Sequence, residues 1–220
     1  ELLTHMKKGS FVFHQNGWGV GEVMDISFVR EELSIEFDCV SGRKDLSFAN
    51  AFNTLIPLNK EHFLALRFGD PDSLEKIAKQ KPMEVVHTLL KDLGPQTAAD
   101  MKEELCGLVI PESEWARWWQ TVRAKIKKDT MISSPNKQTN TFNLRKSELS
   151  HEDRLKAYIE QKNDVKTLVH TLYGFLRDFP GALKEEELRQ SISKKLETAL
   201  NTEELSDSLE LEIHFLLEDL

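Results

Sequence analysis

Residues 9–23 carry the strongest structural signal in the chain: Gly9-Ser10-Phe11-Val12-Phe13-His14-Gln15-Asn16-Gly17-Trp18-Gly19-Val20-Gly21-Glu22-Val23. Asn16-Gly17 favours a tight turn with positive φ, and β-prone residues flank it on both sides. Further along, Leu33, Ile35 and Phe37 alternate with polar residues, which is typical of a strand with one solvated face. The pattern predicts a small antiparallel sheet of short strands.

The same sheet is expected to end near residue 58. Ser41-Gly42 predicts another turn, Leu46 and Phe48 are expected to continue the sheet, and Leu55 to Leu58 closes it. Pro57 is tolerated there because proline fits an edge or an end of a sheet. Five strands in residues 1–58 are typical of an SH3-like or Tudor-like barrel. The predicted fold class is therefore α+β, a small SH3/Tudor-like β-barrel followed by mostly α-helical hairpins.

Helix caps replace glycine turns after the barrel. Asp70-Pro71 and Lys81-Pro82 each predict the start of a helix, and Gly94-Pro95 predicts the end of the second one. Thr97 with Asp100 predicts a capping box, and Pro111 precedes a helix rich in tryptophan. Short helices with short connections predict a helical region over residues 59–130, packed on the barrel.

The chain turns polar over residues 131–149, which predicts a linker. Beyond it, Ser150 and Asp164 have the pattern of helix N-caps, and Phe179-Pro180-Gly181 ends an apolar stripe that begins at Val165. Two further amphipathic helices are expected over residues 182–200 and 202–220. Residues 150–220 are thus predicted to form a second helical region of about four helices.

Composition excludes several classes of protein. The formal net charge of -8 over 220 residues argues against a nucleic-acid binder that acts through bulk charge. Two cysteines, Cys39 and Cys106, form neither a disulfide framework nor a zinc motif, which suits a reducing cytoplasm. No apolar run approaches the roughly 18 residues that a membrane span needs, so no membrane partner is expected. Because the chain begins at Glu1 without Met, we expect it to be a piece of a longer protein.

Two segments resemble bacterial transcription proteins. One resembles the RNA-polymerase-interacting module of CarD-type regulators and the transcription-repair coupling factor, and the matching residues are Gly9, Val12, His14, Gly19, Val20, Gly21 and Val23. The other is similar to the amino-terminal extension of long bacterial Gre-type transcript-cleavage factors, and it comprises Glu114-Trp115-Ala116-Arg117-Trp118-Trp119 and Phe142-Asn143-Leu144-Arg145.

The resemblance implies a non-catalytic region that binds bacterial RNA polymerase in the cytoplasm and tethers a cleavage-factor domain outside this chain. Two departures limit the carry-over. The chain lacks the Gly-Asp-Leu-x-Glu-Asn-Ala-type segment of the Gre coiled coil, and Trp18 replaces a smaller or more polar residue of CarD-type modules. An exposed barrel edge could add to a sheet of the polymerase. The expected edge is either the strand with Leu33, Ile35 and Phe37 or its neighbour near Arg43 to Leu46. The candidate partner-binding residues are therefore Leu33, Ile35, Phe37, Arg43, Lys44 and Leu46.

The tryptophan-rich helix permits two interpretations. Trp115, Trp118 and Trp119 share one helical face with Val122 and Ile126, which favours core packing. Alternatively, one tryptophan stays exposed in a basic segment, residues 115–146, that holds eight basic residues and one acid. That segment could contact DNA or RNA, although its charges point all round the helix. The candidate contact residues are Arg117, Arg123, Lys125, Lys127 and Lys128.

Other chemistry finds little support in the sequence. Trp18, Phe28 and Phe48 could form an aromatic cage for a cation, although such aromatics more often fill a barrel. The histidines and cysteines lack the close spacing of metal ligands, so no metal and no cofactor are expected. No nucleophile or acid–base pair can be identified, which predicts a chain that is not an enzyme; a nucleotide hydrolase would need a pocket the sequence does not reveal. The alternative function is a helical protein-interaction scaffold unrelated to transcription, with a groove along residues 165–176.

Overall fold

A computed structural model describes residues 5–134, 140–161, 164–202 and 204–220. The chain divides into two compact units, Glu1–Lys146 and Ser147–Leu220. The first unit contains a five-stranded antiparallel sheet followed by helices, and the second unit is helical. The α+β fold class predicted from the sequence is confirmed.

The sheet has the order β4-β3-β2-β1-β5. Its strands are β1 (Phe11–His14), β2 (Gly19–Ser27), β3 (Glu32–Phe37), β4 (Arg43–Ser47) and β5 (Leu55–Leu58). Gly17 in the β1–β2 connection has a φ of 89°, as the Asn16-Gly17 pattern predicts. Pro57 lies in β5, which pairs only with β1 among the described strands. This order does not establish a closed barrel, so the SH3/Tudor-like form stays a prediction.

The strand order decides between the two expected edges, and one detail of the predicted sheet is wrong. Strand β3 lies between β2 and β4, so β3 is an interior strand and its neighbour β4 is the edge. Phe48 does not continue the sheet, because it begins helix α1 (Phe48–Thr54). The hydroxyl of Ser47 accepts a hydrogen bond from the backbone N–H of Asn50 and caps that helix. Helix α1 therefore separates β4 from β5.

Five further helices follow among the described residues of the first unit. They are α2 (Phe63–Gly69), α3 (Pro71–Gln80), α4 (Pro82–Leu93), α5 (Ala98–Leu105) and α6 (Glu112–Lys127). The predicted N-cap at Asp70 is confirmed, since its carboxylate accepts the Ser73 N–H at 3.1 Å. The capping box of Thr97 and Asp100 is also confirmed. Helix α2, capped by His62, is not among the predicted helices.

Helix α2 joins the sheet to the other helices. On one side, Ala65 packs with Val20 of β2, and Gly69 lies so close to Phe11 that a Cβ atom there would be 2.3 Å from the ring. On the other side, Phe63 is fully buried in the core of the helices, and its backbone N–H donates to the Asp92 carboxylate at 2.7 Å. The sheet and the helices of the first unit therefore share a packed helix.

The predicted linker, residues 131–149, contains packed structure. Strands β6 (Ile132–Ser133) and β7 (Asn143–Leu144) form an antiparallel ribbon. Phe142 exchanges two backbone hydrogen bonds with Gln96, and both Ile132 and Phe142 are buried in the helical core. Residues 135–139 lie outside the described residues. Polar composition therefore does not mark an unpacked chain here.

The second unit contains four helices among its described residues. They are α7 (His151–Glu160), α8 (Val165–Asp178), α9 (Glu186–Thr202) and α10 (Asp207–Asp219), with a short 3-10 helix at Pro180–Lys184. Ser150 and Asp164 cap α7 and α8, as predicted. The last two helices begin later than expected, because the 3-10 helix occupies Ala182 and Ser206 caps α10. The core of this unit includes Leu168, Ile192 and Ile213.

Candidate partner-binding surfaces

The six candidate partner-binding residues divide into two groups. Leu33, Ile35, Phe37 and Leu46 are buried, with at most 4% of their surface exposed, and they fill the core of the sheet. Their side chains are therefore out of reach of a partner. Arg43 and Lys44 lie on β4 and are not buried. Whether these six residues take part in binding stays a prediction.

Strand β4 is an edge strand. It pairs only with β3 among the strands described, so one side of its backbone makes no ladder hydrogen bonds within this sheet. Arg43 pairs across the strands with Glu36, whereas Lys44 pairs with Ile35. Because cross-strand partners share a face, Arg43 points to the solvated face and Lys44 to the core face. The two basic side chains thus flank the edge from opposite sides.

An apolar hairpin tip lies at the end of β4. Phe28 and Val29, between β2 and β3, are 73% and 97% exposed. The Phe28 ring contacts the Phe48 ring edge to face at a centroid distance of 6.0 Å, and the Phe48 N–H donates to the Glu31 carbonyl. Sequence reasoning missed this tip. The available signal was a pair of large apolar residues at a hairpin turn, where polar residues and glycine are usual.

The proposed aromatic cage does not assemble. Trp18 stacks on His14 at 4.4 Å and meets Phe37 edge to face, whereas Phe28 contacts Phe48. His14 is buried in the first of these groups, and burial lowers the pKa of its imidazole. Its Nδ1 atom accepts the Asn16 N–H, which leaves the neutral ring with its proton on Nε2. The aromatic side chains therefore form two separate contacts that stabilise the sheet.

The tryptophan cluster packs in the core, as the favoured interpretation predicts. Trp115 is buried, stacks on Trp119 at a centroid distance of 5.7 Å, and also contacts Trp118. The indole N–H of Trp118 donates to the Ala78 carbonyl at 2.8 Å, and Trp119 meets Phe142 edge to face. Trp118 and Trp119 stay half-buried. Helix α6 is thus fixed to α3 and to the β7 end of the ribbon.

All five candidate nucleic-acid residues are exposed on or at the end of α6. Arg117 and Lys125 line an open cleft of about 460 Å³ together with Trp118. Arg123 and Lys127 project from the other flank of the helix and do not line that cleft. The charges therefore do not form one patch, in agreement with the sequence, which predicts that they point all round the helix. Contact of these residues with nucleic acid stays a prediction.

Potential metal ligands are dispersed over the part of the chain that the structure describes. No group of three or more His, Cys, Asp or Glu residues lies close enough to hold a metal ion in this part of the chain. The pKa of the Cys39 thiol is raised, chiefly by its hydrogen bond with Asp38 and then by partial desolvation, although the residue as a whole is exposed. The thiol therefore stays protonated at neutral pH. Within the same residues, no helix has the length and apolar character that crossing a bilayer requires.

The chain is similar to one known domain family and to two named proteins. Residues 64–149 match the GRAD helix-turn-helix domain family, a range that begins within α2 and extends past β7. Over 219 residues the chain is 46% identical to a protein of Chlamydia pneumoniae named transcription elongation factor GreA. It is 44% identical over 195 residues to the protein of the same name in Chlamydia trachomatis serovar D. No solved structure matches.

The two alignments differ in how much of each protein they cover. They cover 100% and 89% of this chain, but only 30% and 27% of the relatives. The chain therefore spans less than a third of the length of the relatives it matches. The likeness to CarD-type modules receives no support from these matches and stays a resemblance. The chain is homologous to a region of the Chlamydia GreA-type transcription elongation factors.

Proposed function

We propose that this chain is a non-catalytic RNA-polymerase-binding region of a bacterial transcription elongation factor, acting in the cytoplasm. Its relatives carry the name of an elongation factor and are more than three times as long as the region they share with it. The remaining part would carry the transcript-cleavage chemistry. This chain would tether that part to the polymerase.

The observation that carries the proposal is the combination of a sheet edge and an apolar tip. Strand β4 offers backbone N–H and C=O groups along one side. Phe28 and Val29, in the connection between β2 and β3, lie beside the end of β4. A strand of the polymerase could add to β4 through backbone hydrogen bonds, while the tip enters an apolar pocket. Burying a side chain such as Phe28 contributes about 1.5–3 kcal/mol.

Tethering would assist cleavage without any new chemistry. Once this region is bound, a linked domain acts at an effective concentration in the millimolar range for a short flexible linker. A domain that binds weakly by itself would then occupy its site on the polymerase for most of the time. The absence of an identifiable nucleophile in the sequence is compatible with this purely positioning role.

The alternative, a helical scaffold with a groove along residues 165–176, is less well supported. The apolar residues that would line such a groove are buried in the core of the second unit: Val165, Leu168, Val169 and Leu172. A peptide could reach them only after the helices separate. The similarity to elongation factors also favours transcription.

A binding measurement with core RNA polymerase tests the proposal. We expect the wild-type chain to bind, and the double variant Phe28→Ser/Val29→Ser to bind at least about tenfold more weakly, since both apolar contacts are lost. The matched control is Leu211→Ser/Phe215→Ser, which removes two side chains of 55% and 53% exposure from the second unit. Circular dichroism melts check that each variant folds.

One result would contradict polymerase binding itself, and a second would contradict only the proposed binding surface. If the wild-type chain is retained on polymerase no better than an unrelated acidic protein, polymerase binding is wrong. If both double variants bind as tightly as the wild type, polymerase binding remains but the hairpin tip is not its surface.

A further inference from the structure

An open cleft on the first unit lies between the end of α3, the start of α4 and one flank of α6. Its apolar floor consists of Ala78, Pro82, Trp118 and Val122. Around this floor are polar and charged side chains, namely Lys79, Glu114, Arg117, Thr121 and Lys125. The cleft has a volume of about 460 Å³, which is enough for one or two flat ring systems. It combines an aromatic surface with basic groups.

Trp118 is held in place in this cleft. Its indole N–H donates to the Ala78 carbonyl at 2.8 Å, and its ring contacts Trp115 at a centroid distance of 5.5 Å. Trp118 is half-buried and is one of the residues that line the cleft. Because the ring is already fixed, a ligand that stacks on it loses little side-chain entropy on binding.

The charge at the cleft comes mainly from α6. The ammonium group of Lys79 is paired with Glu75 at 2.6 Å, so its charge is compensated locally. Arg117 and Lys125 form no side-chain hydrogen bond or ion pair with any residue that the structure describes. They are eight residues apart in sequence and therefore about 12 Å apart along the helix axis. Glu114 is the single acid in the lining, so anions are favoured near Arg117 and Lys125.

We propose that this cleft binds an unpaired nucleic-acid strand, with one base stacked on Trp118 and adjacent phosphates held by Arg117 and Lys125. An aromatic platform beside basic side chains is the combination that single-strand binding uses. A duplex presents phosphates but no base face that could stack on Trp118. An acidic peptide would pair with the basic groups but has no base to stack on the indole ring. This site is separate from the β4 edge and goes beyond the proposed polymerase binding.

Fluorescence anisotropy with the 220-residue chain tests the site. The probes are a 12-nucleotide labelled RNA and the DNA of the same mixed sequence, single-stranded and as a duplex, at 50 and 200 mM salt. We expect the single strands to bind more tightly than the duplex. Arg117→Gln/Lys125→Gln should weaken single-strand binding at least about tenfold. It should also reduce the slope of log K against log salt by about 1.4, since each phosphate contact contributes about 0.7.

Three further variants separate the site from general charge effects. Arg123→Gln/Lys127→Gln removes the same charge from the other flank of α6, and we expect it to bind within about threefold of the wild type. Trp118→Leu should lower affinity roughly 5- to 100-fold because base stacking on the ring is lost. Trp118→Phe keeps an aromatic ring and should recover most of that loss. Thermal melts check folding, and the charge variants test the site even if Trp118→Leu unfolds.

Several outcomes would overturn this inference. The inference is wrong if neither single strand binds, or if the duplex binds as tightly as the single strands. It is also wrong if the two charge variants weaken single-strand binding equally. A glutamate-rich peptide that competes as well as the oligonucleotides would do the same. Polymerase binding by Arg117→Gln/Lys125→Gln is measured alongside. If it is retained, loss of strand binding concerns this cleft alone and leaves the polymerase proposal intact.

Discussion

The sheet of the first unit and the helices of the second unit bury their hydrophobic residues through different kinds of contact. In the first unit, the partners are remote in sequence, since Val12 in the sheet pairs with Pro57, and Gln96 beyond the sheet bonds with Phe142. In the second unit, short helices follow one another through brief connections, and side-chain caps mark the starts of α7, α8 and α10. Local sequence therefore specifies more of the second unit, whereas the first unit depends on long-range packing. Three substitutions, each with a control in the other unit, test this difference.

Phe63→Ala should have the largest effect. Phe63 is fully buried where α2 joins the helical core, so its removal leaves a cavity that the surrounding helices cannot fill. We expect a loss of about 3–5 kcal/mol in the free energy of unfolding, measured by urea denaturation. Phe215→Ala in the second unit, where the side chain is 53% exposed, should change it by less than about 0.5 kcal/mol. Equal losses in the two variants would contradict the described packing of α2.

Gly21→Ala should have an intermediate effect. A Cβ atom at this position in β2 would lie 2.6 Å from Phe37 and 2.8 Å from Ile35, so the core must shift to accept it. We expect a loss of about 1–3 kcal/mol by the same urea measurement. The identical change in the second unit, Gly174→Ala, meets no atom within 4 Å and lies inside α8. It should stabilise the protein by about 0.5–1 kcal/mol, so the two changes should have opposite signs.

Lowering the pH should change the stability least of the three tests, and it should act through protonation of His14. Because burial lowers the pKa of the folded imidazole, the unfolded chain binds its proton first, near pH 6.5, and stability falls as the pH decreases below that value. The stability that neutral His14 contributes is thus fully present above about pH 6.5. We expect the difference in Tm between the wild type and His14→Gln to be largest at pH 7–8 and to shrink towards pH 5.

His170→Gln, which replaces an exposed histidine on α8 in the second unit, is the matched control and is measured over the same pH range. A difference for His14→Gln that grows on acidification would mean that the folded state favours the charged imidazole, contrary to the buried contacts with Trp18 and Phe37.

The sequence by itself determined the features that depend on neighbouring residues. Alternation in Leu33, Ile35 and Phe37 predicts a strand with one buried face, because side chains in a strand point to opposite faces in turn. Asp70, Thr97, Ser150 and Asp164 predict helix starts, because each side chain bonds a backbone N–H two or three residues later. The spacing of Trp115, Trp118 and Trp119 likewise predicts the buried face of α6.

Only the tertiary structure decided what is accessible. Whether β3 or β4 forms the sheet edge depends on strand order, which no local pattern encodes. The exposed pair Phe28 and Val29 became visible only once the hairpin was placed beside Phe48. In the same way, Arg117 and Lys125 become neighbours of one cleft because α3 packs against α6. The exposure of a side chain depends on long-range packing. The sequence alone therefore does not determine which surfaces of this protein are accessible to a partner.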